Sequence, residues 1–137
     1  MKTEAQSEPA STALQQTVSA AADAADAFFA RVEQVRQQLL LPVEQLGLTL
    51  KGIDQPLCDV EDRRDPYDGS VTTFGFWRDP NGDLLGSIQV EHSGRVYAEY
   101  DVIANHPEKP GWFIESVCVW GTRDQLAAEL QLLRLPS

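Results

Sequence analysis

The run Cys58-Asp59-Val60-Glu61-Asp62-Arg63-Arg64-Asp65-Pro66-Tyr67-Asp68-Gly69 brings five carboxylates, two guanidiniums, a thiol and a phenol into one short stretch. An oxygen-rich loop binds calcium in the EF-hand manner when ligands stand at its first, third and fifth positions and glycine turns the chain at the sixth. Counting from Asp59 puts Arg63 at the fifth position, and aligning Gly69 to the sixth puts Arg64 at the first, so both frames fail. The arginines can neutralise their neighbours in water, and the segment reads as a solvated, salt-bridged connection. Asp79-Pro80-Asn81-Gly82-Asp83 is a second ligand-like string, but its glycine is misplaced and no acid follows at the twelfth position. It reads instead as a hairpin turn, with Pro at the second turn position and Gly where φ must be positive.

Other chemistries have little to work with. His92 and His106 both fall in expected turns or loops, and neither has the close His, Cys or carboxylate spacing of a zinc site. Cys118 lies in the apolar run Glu115-Ser116-Val117-Cys118-Val119-Trp120, where a thiol is a small core residue. Cys58 adjoins acids that disfavour its thiolate. No G-x-S-x-G elbow and no glycine-rich nucleotide loop occurs. Glu99, Asp101 and Glu115 could share a sheet face as an acid–base set, but they read better as a solvated polar face. We therefore assign no catalytic residue, no metal and no cofactor.

The balance of charge narrows the partners. The 137 residues carry a formal net charge of -10. Phosphate recognition needs clustered Lys and Arg, so neither nucleic acid nor an anionic membrane is expected, whereas a cationic partner would be attracted. No run approaches a membrane span, no apolar signal segment follows the polar start, and two unpaired cysteines suit a reducing compartment; the expected location is cytoplasmic.

The elements that must position these residues are legible in part. Residues 1–11 are small and polar and are expected to be a disordered tail, leaving 12–137 as one domain. Thr12-Ala13-Leu14-Gln15 fits a capping box. From there Leu14, Val18, Ala21, Ala25, Phe28, Val32, Val35 and Leu39 recur at alternating spacings of four and three, a heptad seam. Pro42 should kink this helix, and Gly47 should cap it. A short strand is expected over 48–53, then a meander over 71–78, 84–91, 95–103 and 112–120. A final helix should start at Thr122-Arg123-Asp124-Gln125 and carry Leu126, Leu130 and Leu133 on one stripe. If Asp79 pairs with Asp83, Phe76 faces Gly86; if the second turn, His92-Ser93-Gly94, pairs Glu91 with Arg95, then Val90 faces Val96, Ile88 faces Ala98 and Gly86 faces Tyr100. Phe74, Phe76, Leu84, Ile88, Val90, Val96, Ala98, Tyr100 and Val102 then share the core face. The fold class is α+β: an antiparallel β-meander of about five strands, packed by a long N-terminal helix and a shorter C-terminal one.

A helix of about thirty residues is roughly 45 Å long, whereas a strand of about eight residues spans roughly 27 Å. The first half of the seam therefore extends past the sheet. Two functional classes follow. The leading one is a non-enzymatic protein-interaction module (a partner chaperone, adaptor or immunity-like protein), homodimeric or bound to another protein through Leu14, Val18, Ala21 and Ala25. The other is a small-molecule binding protein or enzyme with a pocket between sheet and helix, walled by Trp77, Tyr97, Tyr100, Trp112 and His106.

Overall fold

The computed structural model describes residues 22–136 with their side chains. The expected tail at 1–11, the Thr12 cap, and Leu14, Val18 and Ala21 lie outside those residues. The chain divides into two compact units, 1–31 and 32–137. The helix α1 (Lys2–Glu44) contributes to both. In the first unit Ala25 is exposed. Phe28 is buried and meets Phe29 edge to face, with ring centroids 5.2 Å apart.

In the second unit the seam does what its spacing implies. Val32, Val35, Leu39 and Val43 are all buried, so each turn of α1 commits one apolar side chain to the interior. The helix runs past Pro42 to Glu44. Gly47, at φ 74°, then ends it. Its N–H donates to Glu44 O at 2.9 Å, and Leu48 N–H reaches back to Val43 O at 3.0 Å. These are the two bonds of a Schellman cap, and glycine takes the left-handed position at no steric cost.

Six strands follow: β1 (Cys58–Arg64), β2 (Val71–Arg78), β3 (Leu84–Glu91), β4 (Arg95–Asn105), β5 (Trp112–Thr122) and β6 (Gln125–Arg134). They form one antiparallel sheet in chain order. Its inner face carries Trp77, Ile88, Val96, Ala98, Tyr100, Val117 and Val119, all fully buried. Arg36 of α1 lies close enough to Tyr100 to act on its phenol, and its guanidinium donates to Gln55 O at 3.5 Å. The second half of α1 therefore covers this face.

Three expectations are corrected. The short strand at 48–53 is irregular chain and turns, in which Leu50 and Ile53 are nonetheless buried. The first strand is instead Cys58–Arg64, inside the acidic run, and six of its seven residues are exposed.

The C-terminal helix is the strand β6. Leu126, Leu130 and Leu133 suit a helix, but Leu126, Ala128, Leu130 and Leu132 also alternate, and these are the half-buried positions. Arg123 adopts φ 51°, and Thr122 pairs directly with Gln125 across a two-residue turn. β5 decides the matter. Ile114, Val117, Cys118 and Val119 are buried, and a strand so enclosed needs a ladder on both sides for its backbone groups. Tertiary pairing overrides the weak helical preference of the segment.

The third correction is the register of β2. The turn forms as expected: Asp79 N–H donates to Asp83 O at 2.9 Å, and Gly82 takes φ 86°. Arg78 pairs with Leu84, but Trp77 pairs with Gly86, so Leu85 is an extra residue in the ladder. This bulge shifts β2 by one position and exchanges its faces. Trp77 goes inward, while Phe74 and Phe76 go outward. Leu84 is exposed. The β3–β4 register holds as read: Gly86 faces Tyr100, Ile88 faces Ala98 and Val90 faces Val96. Gly86 thus lies between Trp77 and Tyr100, whose rings meet edge to face at 5.5 Å.

Candidate functional site

The outer face of the sheet is where side chains of several kinds converge. The register lines them up in rows that cross the strands. One row reads Phe74, Gln89, Tyr97, Trp120, Ala127. The next reads Phe76, Ser87, Glu99, Cys118, Glu129. Asp101, Ser116 and Gln131 make a third. Aromatic rings therefore run beside a strip of three acids, Glu99, Asp101 and Glu129. Tyr97 and Trp120 are directly paired large rings, each 40 % exposed.

Hydrogen bonds tie the rows together. Tyr97 donates its hydroxyl to Glu99 Oε2 at 3.3 Å, and the Tyr97 hydroxyl oxygen also lies 3.7 Å from Cys118 Sγ. Ser116 Oγ donates to Glu99 Oε1 at 3.3 Å. Ser116 and Cys118 are buried, so Glu99 bridges a buried and an exposed hydroxyl. The Tyr97 phenol is held well above its ordinary range by its contact with Cys118, by burial and by Glu99, and it stays a donor. Burial, then the charges of Glu99 and Glu115, push the Asp101 carboxyl up. No imidazole takes part in these contacts, so Ser116 has only a carboxylate, a weak base, beside it. The arrangement holds rings and carboxylates in fixed positions.

Arginines border the face at the β1–β2 end. Arg63 lies over the Phe74 ring at 4.2 Å and Arg78 over Phe76 at 5.7 Å. The acidic run from Cys58 has its own partners. Asp59 accepts from Arg78 Nε at 3.1 Å, Glu61 from Arg63 Nε at 2.9 Å, and Asp62 from Thr73 Oγ1 at 2.6 Å. Asp65 caps the turn by accepting from Tyr67 N–H at 2.7 Å, and Asp68 accepts from Ser70 N–H at 2.8 Å. All five carboxylates thus engage protein donors. Bonds from Ser70 hold the Asp68 carboxyl below its usual range. Among the described residues, no three His, Cys, Asp or Glu are grouped to hold a metal.

The five residues read as a ligand wall are dispersed. Trp77 and Tyr100 meet in the core, where the Tyr100 hydroxyl donates to Lys51 O. Tyr97 lies on the outer face. Trp112 is half-exposed, with Arg134 over its ring at 5.4 Å. His106 sits in the loop after β4, its Nδ1 accepting from the N–H groups of Glu108 and Lys109 at 3.1 Å each. An open groove of about 580 Å³ lies elsewhere, lined by Gly52, Pro56, Cys58, Arg78, Pro80 and Leu85 among others. Sequence reasoning missed Phe74, Phe76 and Trp120 as outer-face residues. For Trp120 the signal was present, because it alternates with Val119 along β5.

No family model matches the chain, and neither curated proteins nor solved structures contain a significant match. Among the described residues, no helix is long and apolar enough to cross a membrane.

Proposed function

We propose that the chain is a non-enzymatic, cytoplasmic protein-binding module that receives a cationic protein segment on the outer face of its sheet. The observation that carries this is the pairing of two half-exposed rings, Tyr97 and Trp120, with the adjoining strip Glu99, Asp101 and Glu129. Aromatic rings offer large contact area at little conformational cost, and the carboxylates select Lys and Arg. The net charge of -10 steers such a partner toward the protein. The seam positions Leu14, Val18, Ala21 and Ala25 belong to the same reading, as a second surface for protein contact. The competing reading, a small-molecule site between helix and sheet, is weakened because Trp77 and Tyr100 are already used as core.

Binding of lysine- and arginine-rich peptides, followed by calorimetry at two salt concentrations, tests the proposal. The double variant Tyr97→Ser/Trp120→Ser should lose most of the affinity while keeping the charge. If wild type and variant bind equally well, the attraction belongs to net charge alone and the outer face is not the site.

A further inference from the structure

The two edges of the sheet are built differently. β1 guards its edge: Asp59, Glu61, Asp62, Arg63 and Arg64 fall within its seven residues. A register shift between Cys58 and Glu61, with Asp59 at φ 52°, breaks its pairing line. Charge and bulges are how sheets discourage edge-to-edge pairing. β6 has neither device. It runs ten residues, Gln125–Arg134, with Glu129 its only charge before the final arginine and no proline. The register shift in its ladder lies in β5, between Ile114 and Ser116, so β6 itself is unbroken. Among the described residues no strand pairs with its outer side.

The direction of its free backbone groups follows from the turn. A two-residue hairpin makes Thr122 and Gln125 a hydrogen-bonded pair, so alternate residues after Gln125 point their N–H and C=O away from β5. These are Leu126, Ala128, Leu130 and Leu132, which are also the half-buried positions of the strand. We infer that β6 pairs antiparallel with β6 of a second copy of this chain about a two-fold axis at Leu130, joining the two sheets edge to edge.

The register selects that axis. Centring on Glu129 would set the two Glu129 carboxylates directly opposite each other. Centring on Ala128 pairs only 125–131, and centring on Gln131 only 128–134. Centring on Leu130 pairs 126–134, the longest overlap that keeps the Glu129 side chains from direct opposition. It joins Leu130 to its own copy, Ala128 to Leu132 and Leu126 to Arg134, with about ten ladder hydrogen bonds. Glu129 then faces Gln131 of the other copy twice, once on each side of the axis.

That last pairing supplies the test, because Gln131 is exposed and can be changed without touching the core. Sedimentation equilibrium on the full chain under reducing conditions should show a dimer. Gln131→Lys should tighten it and Gln131→Glu should loosen it, each by about 2- to 30-fold for two symmetric cross-strand charge pairs. Leu130→Pro, which removes an outward N–H and spares the bonds to β5, should give a folded monomer. A wild-type protein that stays monomeric at its highest soluble concentration overturns the inference. So does a dimer whose constant is the same in both Gln131 variants, since the copies would then meet through another surface. Either outcome leaves the reading of Tyr97 and Trp120 intact, because that rests on peptide binding.

Discussion

Replacing Gly86 with alanine probes the register, the core and the bulge at once. A methyl group built on Gly86 would lie 2.5 Å from Tyr100 Cδ2 and 2.7 Å from Glu99 O. The ring could turn, at the expense of its edge-on contact with Trp77, but the carbonyl is backbone in the middle of β4 and cannot move without opening the ladder. Overpacking of this kind costs about 1–3 kcal/mol. The loss of glycine's freedom in the unfolded chain offsets about 0.4–1 kcal/mol of it. Gly75→Ala is the matched control. Its methyl would meet Leu57 Cδ1 at 2.8 Å, but that atom is the end of a flexible side chain. Gly75→Ala carries the same offset, so Gly86→Ala should be less stable than Gly75→Ala by about 1–3 kcal/mol and melt about 3–5 °C lower for each of these. Equilibrium urea unfolding followed by near-ultraviolet dichroism, which reports the Trp77–Tyr100 pair, measures both. If the two variants agree within about 0.5 kcal/mol, Gly86 does not lie between these rings and the bulge at Leu85 is misplaced.

Asp101→Asn should stabilise the protein near neutral pH, because burial and the charges of Glu99 and Glu115 raise this carboxyl in the folded state. That advantage should vanish as pH falls below the ordinary carboxyl range, which paired melts can show. The Tyr100 phenol is pushed up to about 12, first by burial, so its contribution is complete below the unfolded value of 10 and should be lost as pH rises toward 12, as an alkaline unfolding series would record. Tyr100→Phe leaves Lys51 O without its donor and should cost about 0.5–1.5 kcal/mol in urea unfolding. Deleting residues 1–20 should leave the sheet folded by circular dichroism, since Val32, Val35, Leu39 and Val43 remain; unfolding of the truncated chain would show that the first half of α1 is core. Calcium added to metal-free protein should leave the melting temperature unchanged, because each carboxylate between Asp59 and Asp68 already has a protein donor; a saturable rise at micromolar ion would count against this.

Some features were written in local sequence. The seam at Val32, Val35 and Leu39 was legible because helix periodicity depends on spacing within one segment, and the cap at Gly47 because only glycine takes that conformation cheaply. The turns at Gly82 and Gly94, and the β3–β4 register between them, followed from turn chemistry and alternation together. What failed required knowledge of a neighbour. Leu85 looks like any strand residue, and only the ladder reveals that it is extra; that one residue moved Trp77 into the core and sent Phe74 and Phe76 outward. Leu126, Leu130 and Leu133 satisfy a helix as well as a strand, and the unpaired edge of β5 made the choice. The outer-face site shares this history. Tyr97, Glu99 and Asp101 could be set on one face from β4 alone, but their neighbours Trp120, Ser116 and Cys118 come from β5 and Glu129 from β6. A strand's alternation tells which residues share its face. It does not tell which strand lies beside it, and only the pairing of distant segments decides that.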